Sequence, residues 1–310
     1  MDMKLGGGES RLPSYVVITP ARNEARCIEQ TIQDVIAQTV RPMRWVIVSD
    51  GSTDGTDEIV RRYMGDHPWI QLMRMPERVE RNFAGKAHAF NAGYAAIKEL
   101  RPDVIGNLDA DVSVGPEHFE YLLTKRCEDN ELGIWGAPFR EGDERYDYRF
   151  TSIESVWGGC QLICRECLED IGGYTPLKGG LVDHVAVVTA RMKGWKTRTF
   201  VESVCVHQRV MGTANRSVMG ASFDQGVKDF AAGNDPVWET FRVIYQMRNK
   251  PFVFGALALA AGFINCSIHR PKRSVTPELM AFTRREQRTR LKRLFRLRGQ
   301  SEPVIRGKAG

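Results

Sequence analysis

The chain has 310 residues, 42% of them apolar and 26% charged, enough to bury a substantial core as one large domain with an appendage or as two domains. Its formal charge of +6 is concentrated at Arg284, Arg285, Arg288, Arg290, Lys292, Arg293, Arg296 and Arg298 against the single acid Glu286, which excludes basicity as a property of the whole fold. The 7 cysteines are odd in number and no secretory pattern precedes them, which argues for a reducing compartment and for buried thiols, because Cys160, Cys164 and Cys167 lack the paired knuckles of a structural zinc site.

Residues 1–13, with Gly6-Gly7-Gly8 and Pro13, read as a loose leader. Tyr15 to Thr19 is a β-branched apolar run ended by Pro20, the pattern of a strand buried on both faces. Ile28, Ile32, Val35 and Ile36 then recur at helical spacing, with Asn23-Glu24 offering a capping residue and a first-turn acid. Trp45 to Ser49 predicts a second strand, Asp54 to Met64 a second helix, Ile70 to Arg74 a third strand, Lys86 to Leu100 a third helix and residues 103–108 a fourth strand. This alternation predicts an α/β fold with a mainly parallel sheet flanked by helices, in which ligands collect at the carboxyl ends of the strands.

The polar clusters fall at those ends. Asp50 to Thr56 leaves the second strand as a Gly-rich turn, with Asp50 facing the crevice and small polar residues able to cap the next helix. Gly85-Lys86 opens the third helix, where a lysine and free N–H groups can meet an anion, and Pro116 suits the first turn of the helix that follows the fourth strand. Asp109-Ala110-Asp111 ends the fourth strand; alternation along an extended backbone would put both carboxylates on one side, and the like charges would invite a hard cation, Mg2+ or Mn2+, completed by substrate phosphates. Taken singly, each cluster is also compatible with ordinary turn and capping chemistry. No Gly-x-Gly-x-x-Gly follows the first strand, which disfavours a dinucleotide oxidoreductase.

With these residues in view, the chain resembles the family 2 glycosyltransferases, whose fold is called GT-A, over roughly residues 15–235. Ile18 to Glu24 is similar to that family's first strand and loop, Val48 to Thr56 to its nucleotide-binding turn, Gly85-Lys86 with Asn91-Ala92-Gly93 to the helix near the diphosphate, and Leu108 to Asp111 to the metal motif. Gly159 to Arg165 and Ile171 to Tyr174 resemble the acceptor-side segment, and Asp183 through Gly194-Trp195 the segment carrying the catalytic base. The resemblance implies an inverting transfer from a nucleotide-sugar, most often a UDP-sugar, to a hydroxyl of a saccharide or lipid-linked acceptor. Pro20, Glu24, Asp50, Lys86 and Asp109 would bind the donor, Asp111 and His207 the metal, and Asp183 would be the base; Arg209 would meet phosphate charge. His184 competes for the base role. Trp135, Trp157 and Tyr174 would border the acceptor cleft, where flat rings stack on sugars, although core packing competes. Two positions depart from the family pattern: Ser49 stands for a usual Asp, and Val182 for an acid before Asp183. A nucleotidyltransferase and a non-catalytic nucleotide-binding scaffold at the membrane surface are the competing readings.

The expected organisation is a leader (1–13), a GT-A domain (14–235), a helical C-terminal region (236–298) and a flexible tail (299–310). Phe252 to Ile264 is uncharged but spans only about 20 Å as a helix against a hydrocarbon core of about 30 Å; extending it to Ile268 adds Asn265 and Ser267 and leaves a single span open but not favoured, so an interfacial or re-entrant helix is expected ahead of a basic segment striped with Leu291, Leu294 and Phe295. That appendage predicts peripheral or monotopic attachment to an anionic membrane surface on the cytoplasmic side, with no nucleic-acid partner. The alternative is a buried core helix and a solvated basic face.

Overall fold

A computed structural model describes residues 11–77, 83–141, 144–145, 152–208, 218–248 and 252–298. The chain divides into two compact units, Met1–Met211 and Gly212–Gly310. Helix Val218–Ala231, which the sequence reading set inside the GT-A domain, falls in the second.

In the first unit the elements are β1 (Tyr15–Ala21), α1 (Ile28–Ile36), β2 (Arg44–Ser49), α2 (Thr56–Met64), β3 (Ile70–Arg74), α3 (Ala84–Ile97), β4 (Val104–Leu108), β5 (Val112–Ser113), α4 (His118–Glu128), β6 (Leu132–Gly136), β7 (Phe139–Glu141), β8 (Glu144–Arg145), β9 (Cys160–Cys164), α5 (Arg165–Ile171), α6 (Val182–Met192), β10 (Lys196–Thr199) and β11 (Cys205–His207). Seven strands form one sheet in the order β10-β6-β9-β4-β1-β2-β3, and β5-β11-β7-β8 form a second. The large sheet is parallel except for β9, which runs antiparallel to both β4 and β6. This is the α/β architecture with a mostly parallel sheet that the sequence predicts.

β1, β2 and β4 are buried along almost their whole length, as expected for strands covered on both faces. The periodic Ile28, Ile32 and Val35 are the buried side of α1. Its cap differs from expectation: Cys27 precedes the helix and Glu29 is its first-turn acid. Asn23 instead takes a left-handed backbone (φ 57°), which lifts Asn23 and Glu24 out of the helix. Pro116 likewise lies ahead of α4, which begins at His118.

The second unit comprises α7 (Val218–Ala231), α8 (Pro236–Gln246), α9 (Phe252–His269) and α10 (Pro277–Arg298). α9 runs to His269, in line with the longer of the two segments weighed from the sequence, and at 18 residues it is by length and composition long and apolar enough to cross a membrane. One side of it (Gly255, Ala256, Leu259, Gly262, Phe263, Cys266) is buried. A Cβ at Gly226 would strike the Leu259 carbonyl, and one at Gly262 the Phe223 carbonyl, so α7 and α9 approach backbone to backbone. The other side leaves Val253, Phe254, Leu257, Ile264 and Ile268 exposed. Leu291, expected in the apolar stripe of the basic helix, is buried.

Candidate active site

Parallel strands β1, β2 and β4 all end at one edge of the sheet, and β9, being antiparallel, begins there. α6 leads into β10, parallel to β6, so its N-terminus returns to the same edge. Residues scattered over the sequence are thereby gathered in one place.

The loops after β1 and β2 are tied together through backbone amides. Asn23 N–H donates to Ser52 Oγ (3.1 Å), Glu24 N–H to Thr56 Oγ1 (2.8 Å) and Ala25 N–H to Asp54 Oδ2 (3.0 Å), while Thr53 N–H donates to Asn23 Oδ1 (2.9 Å). Asp54 also accepts from Thr56 N–H (3.1 Å) just ahead of α2, whose N-cap is Gly55. Pro20 lies opposite Val48 one residue before the end of β1, and Asp50, which is buried, receives the Arg22 guanidinium at 3.7 Å. The departure at Ser49 has a local role: its buried hydroxyl accepts Ser52 N–H at 3.4 Å.

Lys86, in the first turn of α3, reaches both oxygens of Asp109 at 2.6 and 2.8 Å. Its ammonium also donates to the Gly158 carbonyl (2.9 Å), which accepts a second bond from Asn107 Nδ2 (2.6 Å). Asp109 N–H in turn donates to the Gly159 carbonyl (2.8 Å). Burial raises the Asp109 carboxyl above the usual carboxylate range; Lys86 opposes this, and the negative charges of Asp111 and Asp183 add to it. Asp183 lies against Gly158 so closely that a Cβ there would overlap its Cβ, Cγ and Oδ2. Three carboxylates and one lysine thus share a small volume, an arrangement that asks for further positive charge.

Residues 110–111 form a turn, so Asp109 and Asp111 are not brought together by strand alternation. The second sheet positions Asp111 instead. β11 pairs with β5, setting His207 opposite Val112, and Gln208 N–H donates to the Asp111 carbonyl (2.9 Å). His207 Nε2 then lies 3.5 Å from Asp111 Oδ2, with side chains 10% and 15% exposed. A carboxylate and an imidazole at that spacing are a chemically suitable donor pair for a divalent cation such as Mn2+. Trp157 stands edge-on to the His207 ring at 5.8 Å and packs on Phe139 at 4.5 Å.

A family model described as glycosyl transferase family 2 matches residues 16–176, more than half of the chain. The chain belongs to this family. Among curated relatives of this glycosyltransferase, chondroitin synthase of Pasteurella multocida (strain Pm70) is 31% identical over 122 residues, 39% of this chain and 12% of that protein. Poly-beta-1,6-N-acetyl-D-glucosamine synthase of Staphylococcus aureus (strain COL) is 31% identical over 142 residues, 46% of this chain and 30% of that protein. The chain therefore spans well under half the length of either. Among solved structures, mannosyltransferase PcManGT from Pyrobaculum calidifontis in complex with GDP-Man and Mn2+ is similar in fold (TM-score 0.57, 19% identity, 93% of this chain and 83% of that one). S. aureus TarS 1-349 in complex with UDP-GlcNAc is as well (TM-score 0.51, 15% identity, 69% and 65%).

Several expectations for the glycosyltransferase change. Trp135 is fully buried, its Nε1–H donating to the Leu122 carbonyl (2.9 Å), and Tyr174 is buried on Phe90 at 4.4 Å, so neither borders a cleft; Trp157 does remain at the site. Val182 is buried, which explains why no acid stands before Asp183. His184 is half-buried on the first turn of α6 beside Asp183. Arg209 lies outside the described residues. Sequence reading missed Gly158, Asn107 and Arg74; the last bonds Asp57 (2.8 Å) and the Ser52 carbonyl (3.3 Å), bracing the Asp50 loop. Arg74 closes a strand that leads to the rim, a position that could have drawn notice.

Proposed function

We propose that this glycosyltransferase moves a sugar from a UDP-sugar to an acceptor hydroxyl by inverting single displacement, in polysaccharide or glycolipid synthesis at a membrane. The observation that carries the reading is the convergence of Asp109 with Lys86, Asp111 with His207, and Asp183 at one strand-end edge. Pro20, Glu24 and Asp50 would hold the nucleotide and Lys86 and Asp109 the diphosphate side. Asp111 and His207 would hold Mn2+ or Mg2+, which supplies Lewis-acid stabilisation of diphosphate charge. Asp183 would take the acceptor hydroxyl proton; a positioned base is worth ~10²–10⁴-fold in rate. The polymer-synthesising relatives support the substrate class, and the nucleotide-sugar complexes of the structural neighbours support the donor class.

Membrane attachment rests on the exposed apolar side of α9 together with the arginines of α10, which suit an interfacial helix pair next to anionic lipid. Asp183→Asn should remove most transfer and leave nucleotide affinity nearly unchanged, and Asp111→Ala should weaken Mn2+-dependent donor binding in a thermal-shift titration. Near-normal transfer by Asp183→Asn would reassign the base to His184. A metal titration unaltered by Asp111→Ala would remove that residue from the site.

A further inference from the structure

Directly behind this edge, three soft or borderline donors from separate elements meet at one buried point. His118 begins α4, Cys160 begins β9 and Cys205 begins β11, and none is more than 3% exposed. His118 Nε2 lies 3.3 Å from Cys160 Sγ and 3.8 Å from Cys205 Sγ, and the three donor atoms lie within 4.8 Å of one another.

The Cys160 and Cys205 thiols hydrogen-bond each other beside the imidazole, and two features go beyond such thiol packing. The spacing matches a coordination polyhedron: bonds of ~2.3 Å to sulfur and ~2.0 Å to nitrogen give tetrahedral sulfur–nitrogen edges of roughly 3.5 Å. The other ring nitrogen, Nδ1, is 2.8 Å from Ser203 Oγ, the outer hydrogen bond that fixes ring orientation in metal-bound histidines.

We propose that His118, Cys160 and Cys205 bind a thiophilic d10 cation, Zn2+ or Cu+, at a structural site distinct from the acidic site of Asp109, Asp111 and His207. Binding would release the two thiol protons, leaving two thiolates and a neutral imidazole around the ion. Zn2+ would complete four-coordination with a water, whereas Cu+ is satisfied by the three protein ligands. The ion would bind together α4, the β9 strand of the large sheet and the β11 strand of the small sheet. Cys160 pairs with Leu108 and Cys205 lies two residues before His207, so it would stiffen both chains that carry the acidic site. This inference does not depend on the transferase reading, because its readout is metal content and sulfur ligation.

The test is elemental analysis of the full chain, purified without chelator or metal-affinity resin, together with Co2+ titration of the metal-stripped protein. About one equivalent of zinc or copper is expected, the element identifying the ion, together with a thiolate-to-cobalt charge-transfer band on titration. Cys160→Ser and Cys205→Ser should each lose at least about tenfold in retained metal. Cys127→Ser, at an exposed thiol, and Asp111→Ala should keep both metal and band. Wild-type protein with neither bound zinc or copper nor a sulfur–cobalt band would overturn the proposal whether or not the serine variants fold. Retention of the band in both cysteine variants would overturn it equally.

Discussion

Gly158→Ala tests the geometry of the acidic site most directly, because it changes neither charge nor any proposed ligand. The added Cβ would overlap three atoms of Asp183, so either the first turn of α6 or the backbone at 157–159 must move. Overpacking of this kind costs about 1–3 kcal/mol, or several degrees in Tm for a unit of this size. The functional cost should be larger than the stability cost suggests. The displaced carbonyl also carries the bonds from Lys86 (2.9 Å) and Asn107 (2.6 Å), so Asp183 and Asp109 lose their mutual placement together. A misplacement near 1 Å costs ~10²-fold in turnover, about 2.7 kcal/mol of transition-state stabilisation. Initial-rate transfer and thermal unfolding should be measured beside Gly65→Ala, where a Cβ meets nothing within 4 Å and both readouts should stay at wild-type values. If Gly158→Ala turned over and melted like the wild type, the close approach of Asp183 to Gly158 would be wrong, and with it the shared carboxylate volume.

Lys86→Met removes the charge that opposes burial at Asp109, so that carboxyl should rise further above its ordinary pKa. With the folded value above the unfolded one, Asp109 binds a proton more readily in the native state, and donor binding, followed by calorimetry against pH, should fail at a higher pH in the variant. In the second unit, burial and then the Asp229 charge push Glu239 up to about 7, with Arg242 opposing. Because the folded value exceeds the unfolded one, its stabilising contribution is complete below the unfolded pKa and is lost as pH rises through about 7. Tm should therefore fall across that interval, and Glu239→Gln should flatten the profile. Asn91→Ala removes a two-bond clamp on the Tyr174 backbone (2.7 and 2.9 Å) and should cost about 1–3 kcal/mol in denaturant unfolding, without changing the metal dependence of donor binding.

The sequence by itself determined β1 to β4 of the seven-stranded sheet, because these strands are written as short apolar runs and the first helix as a period-3.6 pattern, both local signals. It also determined the polar residues at the strand ends, since a parallel sheet sends every such end to one edge. Tertiary structure alone decided which of them meet. Asp111 is matched to His207 by the β5–β11 pairing across 96 positions of sequence, and Asp183 reaches Asp109 only because antiparallel β9 delivers Gly158 to the same edge. The fate of the aromatics and cysteines was equally illegible. Trp135, Trp157 and Tyr174 are similar as residues, yet only Trp157 reaches the site, and Cys160 and Cys205 find His118 across loops that no local periodicity encodes. The physical reason is common to all of these: propensity and periodicity act over a few residues, whereas pairing, burial and ligand convergence depend on chain segments that become neighbours only once the core has closed.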